Sequence, residues 1–339
     1  MKRIIITGMF IGTALTVMAQ TDSTKKPTTN LTYSVDIYYR YDLNDAPDKT
    51  NNLTSFTNSK NSFELGMASI RADHSFGKVS ATADLGFGRR AQENSYNDVN
   101  TLVAVKQLYI SYAPSSAVKF SIGKWSTHIG YELVDAYANR NYSMSYAFSY
   151  GPFFHTGIKA DISLGGKSAF MIGVANPTDF STTTSSTKVL LAQFSTGIKN
   201  DKLKAYFNFQ GGTGFSQFDL VVNGVISSRF AINYDGTIKM VKTGTIKSSW
   251  SSNALYFNYD PTAVFGLTLR SEYFADGKNV AGVGTSVVQT TLSGNIHIEN
   301  LTIIPEIRLD NAGNTVFSKN SGAGTKNDAS FILAAVYKF

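Results

Sequence analysis

Residues 31–41 read LTYSVDIYYRY, and this stretch decides the fold class. Its odd positions hold leucine, valine, isoleucine and tyrosine, whereas its even positions include Asp36 and Arg40. Successive side chains of a β-strand point to opposite faces, so this alternation predicts a strand with one apolar face and one polar face.

The same alternation returns along the rest of the chain in short segments that end in turn residues. Clear cases are residues 79–88, 265–273, 301–308 and 330–339. No stretch after residue 19 approaches the roughly 18 consecutive apolar residues that a membrane-spanning helix requires. A soluble β-sandwich alternates as well, so the period alone leaves two all-β architectures open.

Two further features of the strands favour an all-β transmembrane, antiparallel, up-and-down β-barrel. Aromatic residues gather at strand ends, as at Tyr109 and Tyr112 or at Tyr337 and Phe339, which is typical of interfacial girdles. Short connections alternate with long ones, as expected for periplasmic turns and outer loops. Only helices and closed barrels satisfy every backbone group in lipid, and spanning helices are absent from the pattern.

The N-terminus has the form of an export signal. Lys2 and Arg3 precede an apolar run over residues 4–17, and small residues come before a predicted cleavage ahead of Gln20. The run is short for a spanning helix, and an uncleaved N-terminal anchor is the alternative. The sequence therefore predicts localisation in the outer membrane, with a signal peptide at 1–19, a polar periplasmic tail at 20–30 and the barrel at 31–339.

The composition excludes several classes of function. Of the 339 residues 16% are charged and 13% are aromatic, whereas an average soluble domain has about 25% charged residues. No cysteine is present, which excludes a disulfide framework, a zinc-thiolate site and a cysteine nucleophile. The full chain has a net charge of +7, but its lysines and arginines do not form a basic stripe, so nucleic acid is not an expected partner.

The lengths of the connections give the number of strands. Long outer loops are expected at 42–61, 91–100, 130–152, 176–187, 275–285 and 311–328. Short turns are expected at 75–78, 113–116, 165–167, 200–202, 260–262 and 299–300. Residues 211–250 are either one outer loop, which gives 14 strands, or contain a hairpin at Asn223-Gly224, which gives 16. Asn-Gly is a strong two-residue hairpin signal, so 16 strands are preferred.

The polar faces of the strands predict what the lumen contains. An Arg or Lys on the lipid side costs about 2–4 kcal/mol at the midplane, so charged side chains are expected to face inward. Opposite charges recur two residues apart, so these side chains either line water or only neutralise each other and brace the wall. Because the signs nearly cancel, the wall predicts weak ion selectivity. The face assignment is ambiguous at 63–72, where the alternation changes phase. The pore-lining candidates are Arg40, Arg71, Asp73, Asp84, Arg90, Lys159, Asp161, Lys204, Arg270, Glu272, Glu306 and Arg308.

Residues 128–157 read HIGYELVDAYANRNYSMSYAFSYGPFFHTG and resemble the signature of the OmpL-like group called putative beta-barrel porin-2. The matching pieces are 130–132, 139–143, 149–152 and 155–157. The resemblance implies a Gram-negative outer-membrane channel without indicating a particular substrate. The terminal Phe339, on an alternating last strand, resembles the assembly signal of outer-membrane barrels, which implies recognition by the barrel assembly machinery.

The long loop at 130–152 is rich in tyrosine and phenylalanine, which are unusual on a loop surrounded by water. One hypothesis is that it folds into the lumen as a constriction, with Glu132, Asp135 and Arg140 facing the solute path. The alternative is that it packs over the barrel rim.

The function predicted from these features is passive diffusion of small hydrophilic solutes and ions through a water-filled barrel in outer-membrane lipid. The alternatives are a channel selective for phosphate or sugars, and a surface adhesion or binding barrel with a blocked lumen. No enzyme is predicted, because the sequence has neither His-Glu-x-x-His nor Gly-x-Ser-x-Gly, although His128 and His155 border the unusual loop. No cofactor or metal is predicted, and the oligomeric state is left open.

Overall fold

The computed structural model describes residues 26–47, 51–198 and 201–339. The predicted signal peptide and residues 20–25 of the predicted tail lie outside these ranges. In the described part, sixteen strands form a closed antiparallel barrel in which strands adjacent in sequence pair and the last strand closes on the first. The barrel strands are β1 (Thr28–Asp42), β2 (Ser62–Phe76), β3 (Val79–Phe87), β4 (Val105–Tyr112), β5 (Val118–Ser126), β6 (Phe154–Gly165), β7 (Ser168–Ala175), β8 (Val189–Ile198), β9 (Leu203–Gly212), β10 (Phe215–Ser227), β11 (Phe230–Thr243), β12 (Ile246–Thr262), β13 (Phe265–Ala275), β14 (Ser286–Ile298), β15 (Leu301–Ala312) and β18 (Asn327–Lys338).

Small elements lie in the outer connections. The strands β16 (Phe317–Ser318) and β17 (Gly324–Thr325) pair in the last of them. The helices are α1 (Arg89–Asn94) and α2 (Tyr146–Tyr150), with 3-10 turns at Asn100–Ala104 and Ala136–Ala138. None of the helices in the described ranges has the length and apolar character needed to cross a membrane.

The predicted alternation is present in the folded strands. On β1 the side chains of Val35 and Ile37 are exposed on the outer surface, whereas Asp36 and Arg40 are buried inside. Closure of β1 on β18, from Ser34–Lys338 to Asp42–Ser330, leaves the barrel without an open edge. The all-β barrel with 16 strands is therefore confirmed.

The position of one predicted hairpin is wrong, although the strand count is right. Asn223 and Gly224 lie inside β10, where they pair with β9 on one side and β11 on the other. The periplasmic turn is at 228–229 instead, and two-residue outer turns stand at 213–214 and 244–245. A turn at Asn223-Gly224 would leave ladder hydrogen bonds of both neighbours unmade, and this outweighs the local preference of Asn-Gly for a turn.

Other boundaries shift by a few residues. The strand β1 begins at Thr28, three residues before the predicted start of the barrel, and β12 continues through the predicted turn at 260–262. Arg90, predicted on a strand, lies in α1, because β3 ends at Phe87 and Gly88 turns the chain with a φ of 121°. These changes leave the order of short turns and long loops intact.

A β-bulge explains the ambiguous phase at 63–72. Asp36 pairs with Met67 and Ile37 pairs with Leu65, so Gly66 is an extra residue on β2. Phe63 is therefore outward before the bulge and Ile70 outward after it. A Cβ on Gly66 would lie 1.8 Å from Asp36 Oδ2, so the bulge depends on glycine.

We expect Gly66→Ala to lower the free energy of unfolding by about 1–3 kcal/mol, because the added methyl group displaces the Asp36 carboxylate. Urea unfolding of the barrel in detergent measures the change. Gly197→Ala is the matched control, since a Cβ there meets nothing closer than 3.4 Å. Equal losses of stability in the two variants would contradict this account of the bulge.

Candidate functional site

The connection between β5 and β6, residues 127–153, enters the barrel lumen and is called the strap here. It starts and ends on neighbouring strands but makes contacts with strands across the barrel. The Tyr142 hydroxyl donates to Asp36 on β1 at 2.6 Å, and the Tyr131 amide donates to Asp235 on β11 at 3.0 Å. The strap therefore crosses the lumen and contains the loop predicted at 130–152.

The strap also reaches down to the periplasmic end of the barrel. Arg140 forms an ion pair with Asp260, which is three residues from the turn at 263–264. The amino group of Lys338, next to the C-terminal residue, lies 4.5 Å from the centroid of the Tyr137 ring. The strap thus fills part of the lumen over most of its height.

Wall carboxylates accept hydrogen bonds from the backbone of the strap. Most of the strap has no regular secondary structure, so its amides need partners from elsewhere. Four acidic side chains on strands β10, β11, β13 and β15 accept them, two of them with both oxygens. The bonds are Gly130 N to Asp219 (3.1 Å), Tyr131 N to Asp235 (3.0 Å), Tyr146 N and Ala147 N to Glu272 (2.8 and 2.7 Å), and Tyr142 N and Ser143 N to Glu306 (2.7 and 3.1 Å).

Arginine side chains satisfy the carbonyl groups of the same segment. Arg270 donates to Ser143 O at 2.7 Å and also to the Glu132 carboxylate at 2.6 Å. Arg308 donates to Met144 O at 2.7 Å. Charged donors and acceptors make hydrogen bonds stronger than neutral ones, so the strap is firmly attached to the wall.

The pore-lining candidates divide into two groups. Members of the first group are buried beneath the strap or the other outer connections; for example, Arg40 donates to Ser59 O at 2.8 Å. This group consists of Arg40, Asp84, Arg90, Arg270, Glu272, Glu306 and Arg308. Members of the second group stay partly in contact with water on β2, β6 and β9. They are Arg71, Asp73, Lys159, Asp161 and Lys204.

The three constriction candidates have different surroundings. Glu132 is 4% exposed and holds Arg270, so it does not face open water. Asp135 pairs with Lys106 of β4 at 2.5 Å. Arg140 keeps 30% of its side chain exposed and also donates to Thr268 at 2.8 Å. Arg140 is therefore the candidate among the three with the largest contact with solvent.

Asp219 and Asp235 hold the first residues of the strap and are not among the residues predicted from the sequence. Phe218 is exposed and Asp219 is buried, as alternation along β10 requires. The hairpin predicted at Asn223-Gly224 divided this strand, so its alternation was not followed over its full length. A longer alternating segment through residues 215–227 would have identified Asp219.

A buried aspartate in another outer loop fixes the C-terminal end of the strap. Asp179 accepts the Phe153 and Phe154 amides at 2.7 and 3.0 Å and the Tyr96 hydroxyl at 3.1 Å. Burial raises the pKa of the Asp179 carboxyl to about 6, while these hydrogen bonds act in the opposite direction.

A buried histidine marks the N-terminal end of the strap. His128 donates to Phe209 O at 3.1 Å, and burial lowers its pKa to about 4, so the ring is neutral near pH 7. Its ring centroid is 5.3 Å from that of His155, which shares a hydrogen bond with Thr127. In the residues that the structure describes, His, Asp and Glu side chains form no group of three or more suited to a metal ion.

Two cavities lie on either side of the strap. The outer cavity has a volume of about 790 Å³ and is bordered by α2 and the end of the strap, by four other outer connections and by the outer ends of β11 and β12. The inner cavity has a volume of about 240 Å³ and is bordered by the start of the strap and by Gln193, Tyr206 and Asn208 on β8 and β9.

Solved structures with the same fold include an outer-membrane channel, a porin and a further outer-membrane protein. The outer membrane channel DcaP of Acinetobacter baumannii has a TM-score of 0.65 and 11% identity, over 92% of this chain and 97% of that one. The anion-selective porin from Comamonas acidovorans has a TM-score of 0.63 and 10% identity, over 93% and 100% of the two chains. A loop L8 deletion mutant of OmpT, an outer membrane protein of Vibrio cholerae, has a TM-score of 0.63 and 12% identity, over 92% and 99%.

At these identities the likeness concerns the fold. A search of curated protein sequences finds no match. The family model described as "Putative beta-barrel porin-2, OmpL-like" matches residues 28–339. Since that match includes every strand of the barrel, the chain belongs to the OmpL-like putative beta-barrel porin-2 family.

Proposed function

We propose that this outer-membrane porin is a narrow passive channel for small hydrophilic solutes and ions, in which the strap sets the width of the path. A barrel of about 16 strands would otherwise leave a wide aqueous channel. The observation that carries the proposal is the attachment of the strap to strands on the far side of the lumen, as at Tyr142 and Asp36.

The route that remains follows the side of the wall that the strap leaves in water. The pairs Arg71–Asp73 on β2 and Lys159–Asp161 on β6 are both partly exposed there. Each cation has a carboxylate within 3.1 Å. Their opposite charges nearly cancel, which supports weak ion selectivity along this part of the path.

A surface binding barrel with a blocked lumen is the second candidate. The observation in its favour is the burial of Tyr142 and Tyr146, whose side chains are 1% and 0% exposed inside the lumen. Solute flux distinguishes a narrow channel from a closed one.

The family and the fold point to a channel rather than an enzyme. The finer proposal is that the chain has no catalytic activity, and it is supported by the engagement of His128 and His155 in structural hydrogen bonds. A further proposal is that the barrel assembly machinery recognises Phe339. This residue pairs with Tyr33 through both backbone groups and leaves 56% of its surface exposed at the periplasmic end.

The strap is tested by replacing residues 136–148 with a short Gly-Ser linker. We expect single-channel conductance in a planar bilayer to rise several-fold, because removing the middle of the strap widens the aqueous path through the barrel. The control is deletion of residues 182–187 from an exposed outer connection, which should leave conductance unchanged. An unchanged conductance after the strap replacement, in a folded barrel, would show that the strap does not limit the path.

The attachment of the strap is tested by Glu306→Gln. The amide group can accept from only one of the Tyr142 and Ser143 amides, so the free energy of unfolding should fall by about 1–3 kcal/mol. Fluctuations of the open-channel current should also increase as the strap moves.

The matched control is Glu64→Gln, which makes the same chemical change in a partly exposed ion pair with Arg89. Its effect on stability should be below about 1 kcal/mol. Urea unfolding and current recordings measure both variants. If the Glu306 variant had the same stability and the same current fluctuations as the Glu64 variant, Glu306 would not be needed to attach the strap.

A further inference from the structure

The outer cavity has the size and the lining of a ligand site. Its volume of about 790 Å³ falls within the range of roughly 300–1,000 Å³ that is usual for small-molecule pockets. Aromatic rings of Tyr150, Phe153, Phe180 and Trp250 form part of its wall. The cavity lies among the outer connections and is closed on one side by the C-terminal end of the strap.

Both carboxylates that border the cavity already have partners. Glu93 accepts the Phe56 amide at 2.6 Å and pairs with Arg89 at 3.3 Å. Asp179 accepts the amides of Phe153 at the end of the strap and of Phe154 at the start of β6, and also the Tyr96 hydroxyl. Both carboxylates therefore accept hydrogen bonds from the protein, and Asp179 also interacts electrostatically with Lys239.

Lys239 also lines the cavity, but within the described part of the chain its charged group lacks the hydrogen bonds that the two carboxylates have. It lies on β11 directly opposite Trp250 of β12, and both line the cavity. Among the described residues its amino group has no hydrogen bond and no ion pair within 4 Å; the Phe215 ring centroid lies 5.5 Å from the amine, and Asp179 interacts with it electrostatically at longer range. The other inward-facing cations on β2, β6, β13 and β15 each have a carboxylate within 4 Å.

We propose that the outer cavity binds sugar acids of one or two rings, with the carboxylate on the Lys239 amine and a ring face against the aromatic wall. Asn58 and Asn97 border the same cavity; their Nδ2 groups donate to Glu93 and to Asp179 O, and the Oδ1 atom of Asn97 suits a ring hydroxyl as an acceptor. A single ammonium group matches a single negative charge, whereas phosphate recognition commonly uses several donors or an arginine fork. The inference deepens the proposed channel function by naming a solute class.

The test uses the full chain in detergent and follows the fluorescence of Trp250. The sequence has two tryptophans, so Trp125→Phe leaves Trp250 as the only one. Glucuronate is titrated against glucose, which has the same ring without the carboxylate. We expect a saturable change with glucuronate and at least about tenfold weaker binding of glucose, as the loss of a charged hydrogen bond predicts.

Variants of the lysine test the contact itself. Lys239→Gln should weaken glucuronate binding about tenfold and leave glucose binding unchanged, while Lys239→Arg should retain it. Lys242→Gln is the matched control, because this lysine is exposed, stands opposite Lys247 in the strand register and does not line the outer cavity. Its affinity for glucuronate should equal that of the parent protein.

Calorimetric titration of the unmodified protein checks that Trp125→Phe has not altered the site. Equal affinities for glucuronate and glucose, no response to either sugar, or an unchanged affinity in Lys239→Gln would each overturn the inference. Glucuronate binding by a barrel without conductance would reject the channel and keep the site. Conductance without glucuronate binding would reject the site and keep the channel.

Discussion

The backbone of the strap lies inside a barrel whose own backbone groups are already paired, and this constraint shapes the rest of the lumen. An amide or carbonyl that loses water without gaining a partner costs free energy comparable to a lost hydrogen bond. The wall supplies those partners as charged side chains, with Glu272 and Glu306 accepting from amides and Arg270 and Arg308 donating to carbonyls. The charged side chains inside this barrel therefore bind the backbone of the strap in addition to forming ion pairs.

This arrangement also explains why charges pair across elements. Arg270 and Glu272 stand two residues apart on one face, but Arg270 binds Glu132 of the strap and Glu272 binds the start of α2. A buried ion is stable only when enough hydrogen bonds replace its water, and neighbours on one strand supply too few. Arg308 and Asp310 do pair along β15, and Arg308 in addition donates to Met144 O.

The sequence predicts the parts of the fold that are local. Alternation over residues 31–41 is a property of one strand, and the lengths of turns and loops order the strands without knowledge of the interior. The bulge at Gly66 appears in the sequence only as a change of phase, because its cause is the position of Asp36 on another strand. The Asn223-Gly224 turn is overruled by two neighbouring strands.

The candidate site is less predictable for the same reason. The composition of the strap indicates that it avoids water, and charged wall residues indicate a polar interior. Which wall residue meets which part of the strap depends on how deep the strap descends, and only distant contacts such as Arg140–Asp260 determine that depth. Glu132 is an example, since its carboxylate forms a buried ion pair with Arg270 and does not face the solute path.

Because most charged side chains of the wall are paired with opposite charges, one unpaired charge affects a passing solute more than it would in a pore lined by many unpaired charges. Along the partly exposed wall, pairs such as Lys159–Asp161 leave little net field for a passing ion. Lys239 stands above the strap, where the neighbouring carboxylates Glu93 and Asp179 are engaged by other donors. In the proposed arrangement the strap would limit the size of the path and Lys239 would distinguish solutes by charge. Width and chemical preference can then change independently, because they depend on residues at different heights of the barrel.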